Sequence, residues 1–287
     1  MANRLIDKRI SQKKIGSVSK KVLVSAVGGD VYTSGSYKIH VFTSTNSFQV
    51  LYKAPANFFL SGSASWQYLV VAGGSAGSGG APNGWGSDVT EGGNGGNAGA
   101  GAFTSSISAS LNLFNTRTSY AVTVGGGGSN SSIATNSTTI TATAFGTGTG
   151  ASGGLGGKVF AEPDCETLGN EREPENGGTG GDILPTSAKS IVFGGPYSTY
   201  ACGGGGGGGG GGATGGQGGR ASSTSGDGGN AGDPGANGQN GIVNSGDGGG
   251  GGGGGDMYCS PGEPASGGSG GAGGSGIVFI KYQYQEL

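Results

Sequence analysis

The chain has 287 residues, of which 74 are glycine and 9 proline, and its charges nearly cancel at −2. Glycine near 26%, against a usual ~7%, is the composition of a low-complexity chain, but no sustained G-X-Y register exists, so collagen is excluded. A net charge this small says little about partners, and no apolar run approaches the roughly 18 residues of a membrane span.

Residues 1–21 form a basic arm. They hold Arg4, Lys8, Arg9, Lys13, Lys14, Lys20 and Lys21 against the single acid Asp7, leaving 8 basic and 16 acidic groups in the remainder. A basic arm on an acidic body predicts that the two face different partners. Leu5, Ile6, Ile10 and Ile15 fit neither a helical nor an alternating period, so the arm is expected to become ordered on a partner protein. Arg4, Lys8, Arg9, Lys13 and Lys14 are its docking candidates. Aromatic interleaving is absent, so no nucleic acid is expected. The basic start is followed by no apolar core of a signal peptide.

Residues 22–72 read as an antiparallel β base. Val22–Val27 is a short β run that ends at the turn Gly28-Gly29-Asp30. Tyr37–Ser44 alternates, and so do Phe48, Val50 and Tyr52 after Thr45-Asn46; the two runs are expected to form a hairpin. Trp66–Ala72 is nearly all apolar at its end and should be buried on both faces.

From residue 73 to 276 the texture changes to glycine-rich segments separated by short patches of ordinary composition. These patches include Phe103–Phe114, Tyr120–Val124, Thr138–Phe145 and Ser190–Phe193, all read as β-like or turn. The runs Gly203–Gly212 and Gly248–Gly255 carry no side chains, so they cannot present a helix face or a strand face. Either they are linkers, or their backbones bond to one another at close range. In polyproline-II geometry a segment rises ~3.1 Å per residue with three residues per turn and no internal hydrogen bonds. Every N–H and C=O then needs a partner or water, and a bundle of such helices supplies partners. The charged stretch Glu162–Glu175 is expected to be an exposed loop. Residues 277–287 form a closing strand expected to return to the base. The predicted fold is therefore mainly β and irregular: a small antiparallel sheet, a bundle of glycine-rich polyproline-II-type helices, and essentially no α-helix.

Chemistry-bearing residues are few. The lone histidine, His40, sits mid-strand with no nucleophile or orienting acid marked out beside it, which predicts a structural role. Zinc-type ligand spacing is absent, and Glu171 and Glu173 share a loop with no spacing suited to glycosidase chemistry. No enzyme activity and no cofactor or metal are expected. Gly251–Tyr258 fits one unit of a calcium-binding repeat, but a single unit makes no site. Asp88, Asp227, Asp233, Asp247 and Asp256 read as turn residues beside glycine. Cys165, Cys202 and Cys259 mark no disulfide framework; three free thiols and a Cys202–Cys259 bridge both stay open. Trp85, Tyr197, Tyr200, Met257 and Tyr258 lie outside strands and are either surface-contact residues or caps on the glycine core.

Four stretches carry a resemblance: YKIHVFTS at Tyr37–Ser44, YLVVAGG at Tyr68–Gly74, YAVTVGGGG at Tyr120–Gly128 and GGSGIVFIKY at Gly273–Tyr282. Their order, with the glycine runs between them, resembles the glycine-rich domain proteins of bacteriophage virions over about residues 31–284, including tail-fibre adhesins built on a polyglycine-II helix sandwich. The resemblance implies a virion structural protein, made in the host cytoplasm and assembled into the particle. Most specifically it implies a tail-fibre or tail-tip component, docked by its arm on other virion proteins and presenting a glycine-rich head to a host-surface receptor. Such fibres often trimerise over their sheet edges, which otherwise template unwanted pairing, so a homotrimer is expected. A capsid-decorating or head-fibre protein, and a glycan- or ice-binding glycine-helix protein, are the alternatives.

Overall fold

The computed structural model describes residues 21–55, 65–80, 102–144, 184, 186–192, 236–254 and 266–285. It is mainly β, with almost no helix. The strands are β1 (Val24–Val27), β2 (Asp30–Ser34), β3 (Tyr37–Phe42), β4 (Asn46–Lys53), β5 (Trp66–Val71), β6 (Phe103–Ala109), β7 (Ser119–Thr123), β8 (Ser131–Ala134), β9 (Thr139–Ala142) and β10 (Ile277–Gln283). They build two five-stranded sheets, ordered β1-β4-β7-β8-β9 and β2-β3-β10-β5-β6, with every strand pair antiparallel. The β base is thus larger than a single small sheet, because β6 to β9 come from patches within the glycine-rich stretch.

The inner faces of the two sheets share one core. The first sheet contributes Phe48, Val50, Tyr120, Val122 and Ile133, and the second Phe42, Trp66, Val70, Val278, Ile280 and Tyr282. Trp66 sits at its centre, edge-on to Phe48 (5.9 Å), Phe114 (5.1 Å) and Tyr282 (5.0 Å). Edge-to-face rings at such separations add attraction beyond area burial.

The outer faces differ. β3, β5 and β10 are largely buried on both sides, as the apolar end of Trp66–Ala72 predicted for β5. Their outward residues Ile39, Val41, Leu69, Val71, Ile277 and Phe279 pack under Ala188, Ile191 and Val192 of α1 (Thr186–Val192). Ser190–Phe193, expected to be β-like or turn, is corrected, since Ser190–Val192 ends this helix; the expectation of essentially no α-helix stands, α1 being the single α-helix among the described residues. The β-branched pair Ile191-Val192 favours a strand locally. Its spacing from Ala188 makes an i, i+3, i+4 stripe, and burial against the sheet decides the outcome. The first sheet's outer face carries Ser47, Leu51, Ser119, Ala121 and Thr123, all exposed.

The β3–β4 hairpin is also corrected. β3 pairs with β2 and β10, whereas β4 pairs with β1 and β7, so the connection crosses from one sheet to the other. Phe42 and Phe48 then meet edge-on across the core at 6.5 Å. Alternation predicts strands but not their partners. The one-sided polarity of β4 suits the open sheet, and β3, buried on both faces from Ile39 to Phe42, suits the covered one. The earlier crossing, from β1 to β2, runs through Gly28 (φ +119°) and Gly29 (φ +59°). A Cβ on Gly28 would lie 2.2 Å from the Ser47 carbonyl oxygen, and one on Gly29 2.4 Å from that of Val41, so only glycine fits either position.

Candidate functional site: a glycine core held by backbone

Four glycine-rich segments, 73–80, 236–241, 247–253 and 268–276, hydrogen-bond to one another through their backbones. The first donates to the fourth from Gly74, Gly77 and Gly80, onto the carbonyls of Gly274, Gly271 and Gly268 (2.8–2.9 Å). The fourth donates to the third from Gly268, Gly271 and Gly274, onto Gly253, Gly250 and Asp247 (2.7–2.8 Å). The third donates to the first from Gly249 and Gly252, and to the second from Gly250 and Gly253. The second closes the set, Gly238 and Gly241 donating to Ser269 and Ala272. Along every pair the bonds recur at each third residue. From the third segment they reach three neighbours, whereas a β-strand's groups alternate between two.

Such contacts need the backbones to approach where a side chain would stand. A Cβ on Gly77 would lie 2.1 Å from the Gly250 oxygen, on Gly252 2.1 Å from Gly268 and on Gly270 2.0 Å from Gly77. Real Cβ atoms do not come so near, so glycine at these positions is a packing requirement.

The core is seated on the sandwich. The first segment continues β5 and the fourth leads into β10, where Val71 and Ile277 are paired. The β7–β8 turn braces both. Gly73 donates to Ser129 O (2.9 Å), Gly276 to Gly125 O (2.8 Å) and Gly128 to Gly74 O (2.7 Å), while the Gly125 amide itself donates to Ser131 Oγ (3.0 Å).

One lateral edge is finished by side chains. The Ser269 amide donates to Asn237 Oδ1 (2.7 Å) and the Ala272 amide to Asn240 Oδ1 (2.8 Å). Both asparagines are exposed and three residues apart. Each exposed amide also carries an Nδ2 group able to donate. Neither was singled out in the sequence; the period-three pattern Asn237-Gly238-Gln239-Asn240-Gly241 was the available signal. At the base end, Ile242 and Val243 are exposed in a turn that continues through Asn244 (φ +59°).

Asp247, read as a turn residue, begins the third segment and is fully buried. His40 is fully buried too, and burial lowers its pKa from 6.5 to about 4, as expected for an imidazole deprived of water. The docking candidates Arg4, Lys8, Arg9, Lys13 and Lys14 lie outside the described residues. So do the contact candidates Trp85, Tyr197, Tyr200, Met257 and Tyr258, the three cysteines and Gly203–Gly212. Among the described residues no group of three or more His, Cys, Asp or Glu is placed to hold a metal ion, and no helix is long and apolar enough to cross a membrane.

No protein-family model matches the chain, and no curated protein matches it.

Proposed function

We propose that the chain is a structural protein of a bacteriophage virion. In this reading it is a tail-fibre or tail-tip component that docks through its basic arm and presents the glycine core for contact with a host surface. The observation that supports it is the period-three bonding of four glycine segments seated on a β sandwich. We read those segments as polyglycine-II helices, since a repeat of three residues with lateral bonds in three directions is the geometry of that helix and not of a sheet. A head of this kind is stiff without needing a large apolar core, which suits a part that projects from a particle. In the same reading a homotrimer covers the sheet edges.

Amide hydrogen exchange tests the bundle. Gly203–Gly212 and Gly248–Gly255 should exchange far more slowly than free peptide, and free-peptide rates in both runs would sink the reading. Immunogold labelling of assembled particles tests the role. Label at the tail tip supports it, label over the head moves the protein to the capsid-decorating alternative, and particles without label overturn both.

A second reading draws on the Asn237/Asn240 row. Exposed amide donors three residues apart, roughly 9 Å at the polyproline-II rise, match ligands with regularly spaced hydroxyl groups. Glycan binding or thermal hysteresis by the purified chain, each weakened by Asn237→Ala, would favour it.

A further inference from the structure

The sandwich contains a short buried polar relay at the β1–β2 crossing. His40 Nδ1 lies 2.6 Å from the Gly28 carbonyl oxygen. A carbonyl only accepts, so Nδ1 carries the proton and Nε2 is left as an acceptor. Tyr282 Oη, 3.0 Å from Nε2, therefore donates to it. The phenol oxygen in turn accepts from the Ala26 amide, next to the irregularity that shifts the β1–β4 register between Ser25 and Ala26. The imidazole stacks on Tyr282 at 5.5 Å and meets Phe48 edge-on at 5.2 Å. Four strands thus converge on one ring: β1 of the first sheet through Ala26 and its following turn, β4 through Phe48, and β3 and β10 of the second sheet through His40 and Tyr282.

We propose that His40, Tyr282 and the Gly28 carbonyl form an acid-sensitive latch that fastens the two sheets at the glycine crossing between β1 and β2. The relay works in one direction only. A proton on Nε2 removes the acceptor of the Tyr282 hydroxyl and places a cation among Phe48, Tyr282 and Ile280. Among the described residues no opposing charge compensates it. Phe48 from β4, Tyr282 from β10 and the Gly28 carbonyl face the ring uncharged, and Lys38, on the same strand, adds a repulsive positive charge. The open imidazole takes up a proton near pH 6.5 and the buried one only near pH 4. Between those values the open form binds more protons, so the stability the latch contributes above pH 6.5 is lost as pH falls toward 4. The part released first is the crossing itself, where Gly28 and Gly29 leave the backbone no side-chain anchor of its own.

The chain has one histidine, so its Cε1–H resonance reports the latch without assignment ambiguity. It should titrate near pH 4 in the intact protein, and a midpoint near 6.5 would overturn the proposal. Tyr282→Phe keeps the ring and removes the donor to Nε2, and should move that midpoint upward. Amide exchange at Ala26–Gly29, taken as a ratio to the β10 amides so that the intrinsic pH dependence cancels, should accelerate on acidification from pH 6.5 to 4. In His40→Asn, whose side-chain amide can still donate to Gly28, that ratio should stay flat. If the two sets of amides speed up together in the parent protein, the effect is global unfolding and the latch is refuted. Should His40→Asn not fold, the parent titration and Tyr282→Phe still decide the matter.

Discussion

The sandwich and the glycine core are held by opposite means. In the sandwich the backbone is paired within each sheet, and what joins one sheet to the other is side chain: Trp66 and its ring of aromatics, and the aliphatic rows of β4, β5 and β10. In the glycine core side chains do little of the joining, which is done mainly by the N–H and C=O groups themselves, with Asn237 and Asn240 finishing one edge. A sandwich is specified by which residues are large. The glycine core is specified by which are not. Tolerance to substitution is therefore reversed between the two, and three variants sharpen that contrast.

The largest effect is expected in the sandwich. Trp66→Ala empties the centre of the aromatic cluster and should cost about 3–5 kcal/mol. It would appear as a lowered midpoint in chemical denaturation, with loss of β signal. Adding one carbon to the glycine core comes next. Gly252→Ala sets a Cβ 2.1 Å from the Gly268 oxygen, and overpacking of this kind costs about 1–3 kcal/mol. Exchange protection should fall across 247–253 and 268–274 while the sandwich amides keep theirs; loss of protection in both regions would show that they are one cooperative unit. The smallest effect belongs to the side-chain edge. Asn240→Ala removes one acceptor and should cost about 1 kcal/mol, read as roughly fivefold faster exchange of the Ala272 amide with no change elsewhere.

The same contrast explains how much was legible in the sequence. The closing strand was legible because its alternating faces both carry apolar residues, Ile277 and Phe279 on one and Val278, Ile280 and Tyr282 on the other, and these are buried. Burial of β5 on both faces was legible from the nearly all-apolar end of Trp66–Ala72. Pairing was not: alternation in Tyr37–Ser44 and Phe48–Tyr52 states that each run has two faces, but says nothing of which strand lies beside it, and the two went to different sheets. Helix α1 was hidden because seven residues are too few to establish a period when Ile191 and Val192 favour the extended form. Glycine identity marked where backbones could meet. Which segment would bond to which was invisible, because glycine segments of similar texture offer no side chain by which one could be told from another. Asn237 and Asn240 were passed over for a related reason: their role depends on a neighbouring amide row that only the folded arrangement supplies.

The three-residue recurrence of the glycine-core bonds has a consequence for how such a chain can vary in length. An insertion of one residue in a single segment shifts every later donor away from its acceptor, because the next N–H then points toward a different neighbour. An insertion of three residues returns each group to its own direction. In the polyglycine-II reading proposed above, matched additions in facing segments would lengthen the core by about 9 Å and leave the existing contacts intact. Length change in this region is thus quantised in steps of three residues, and a population of related chains should differ there by multiples of three, whatever happens to the residues that decorate its surface.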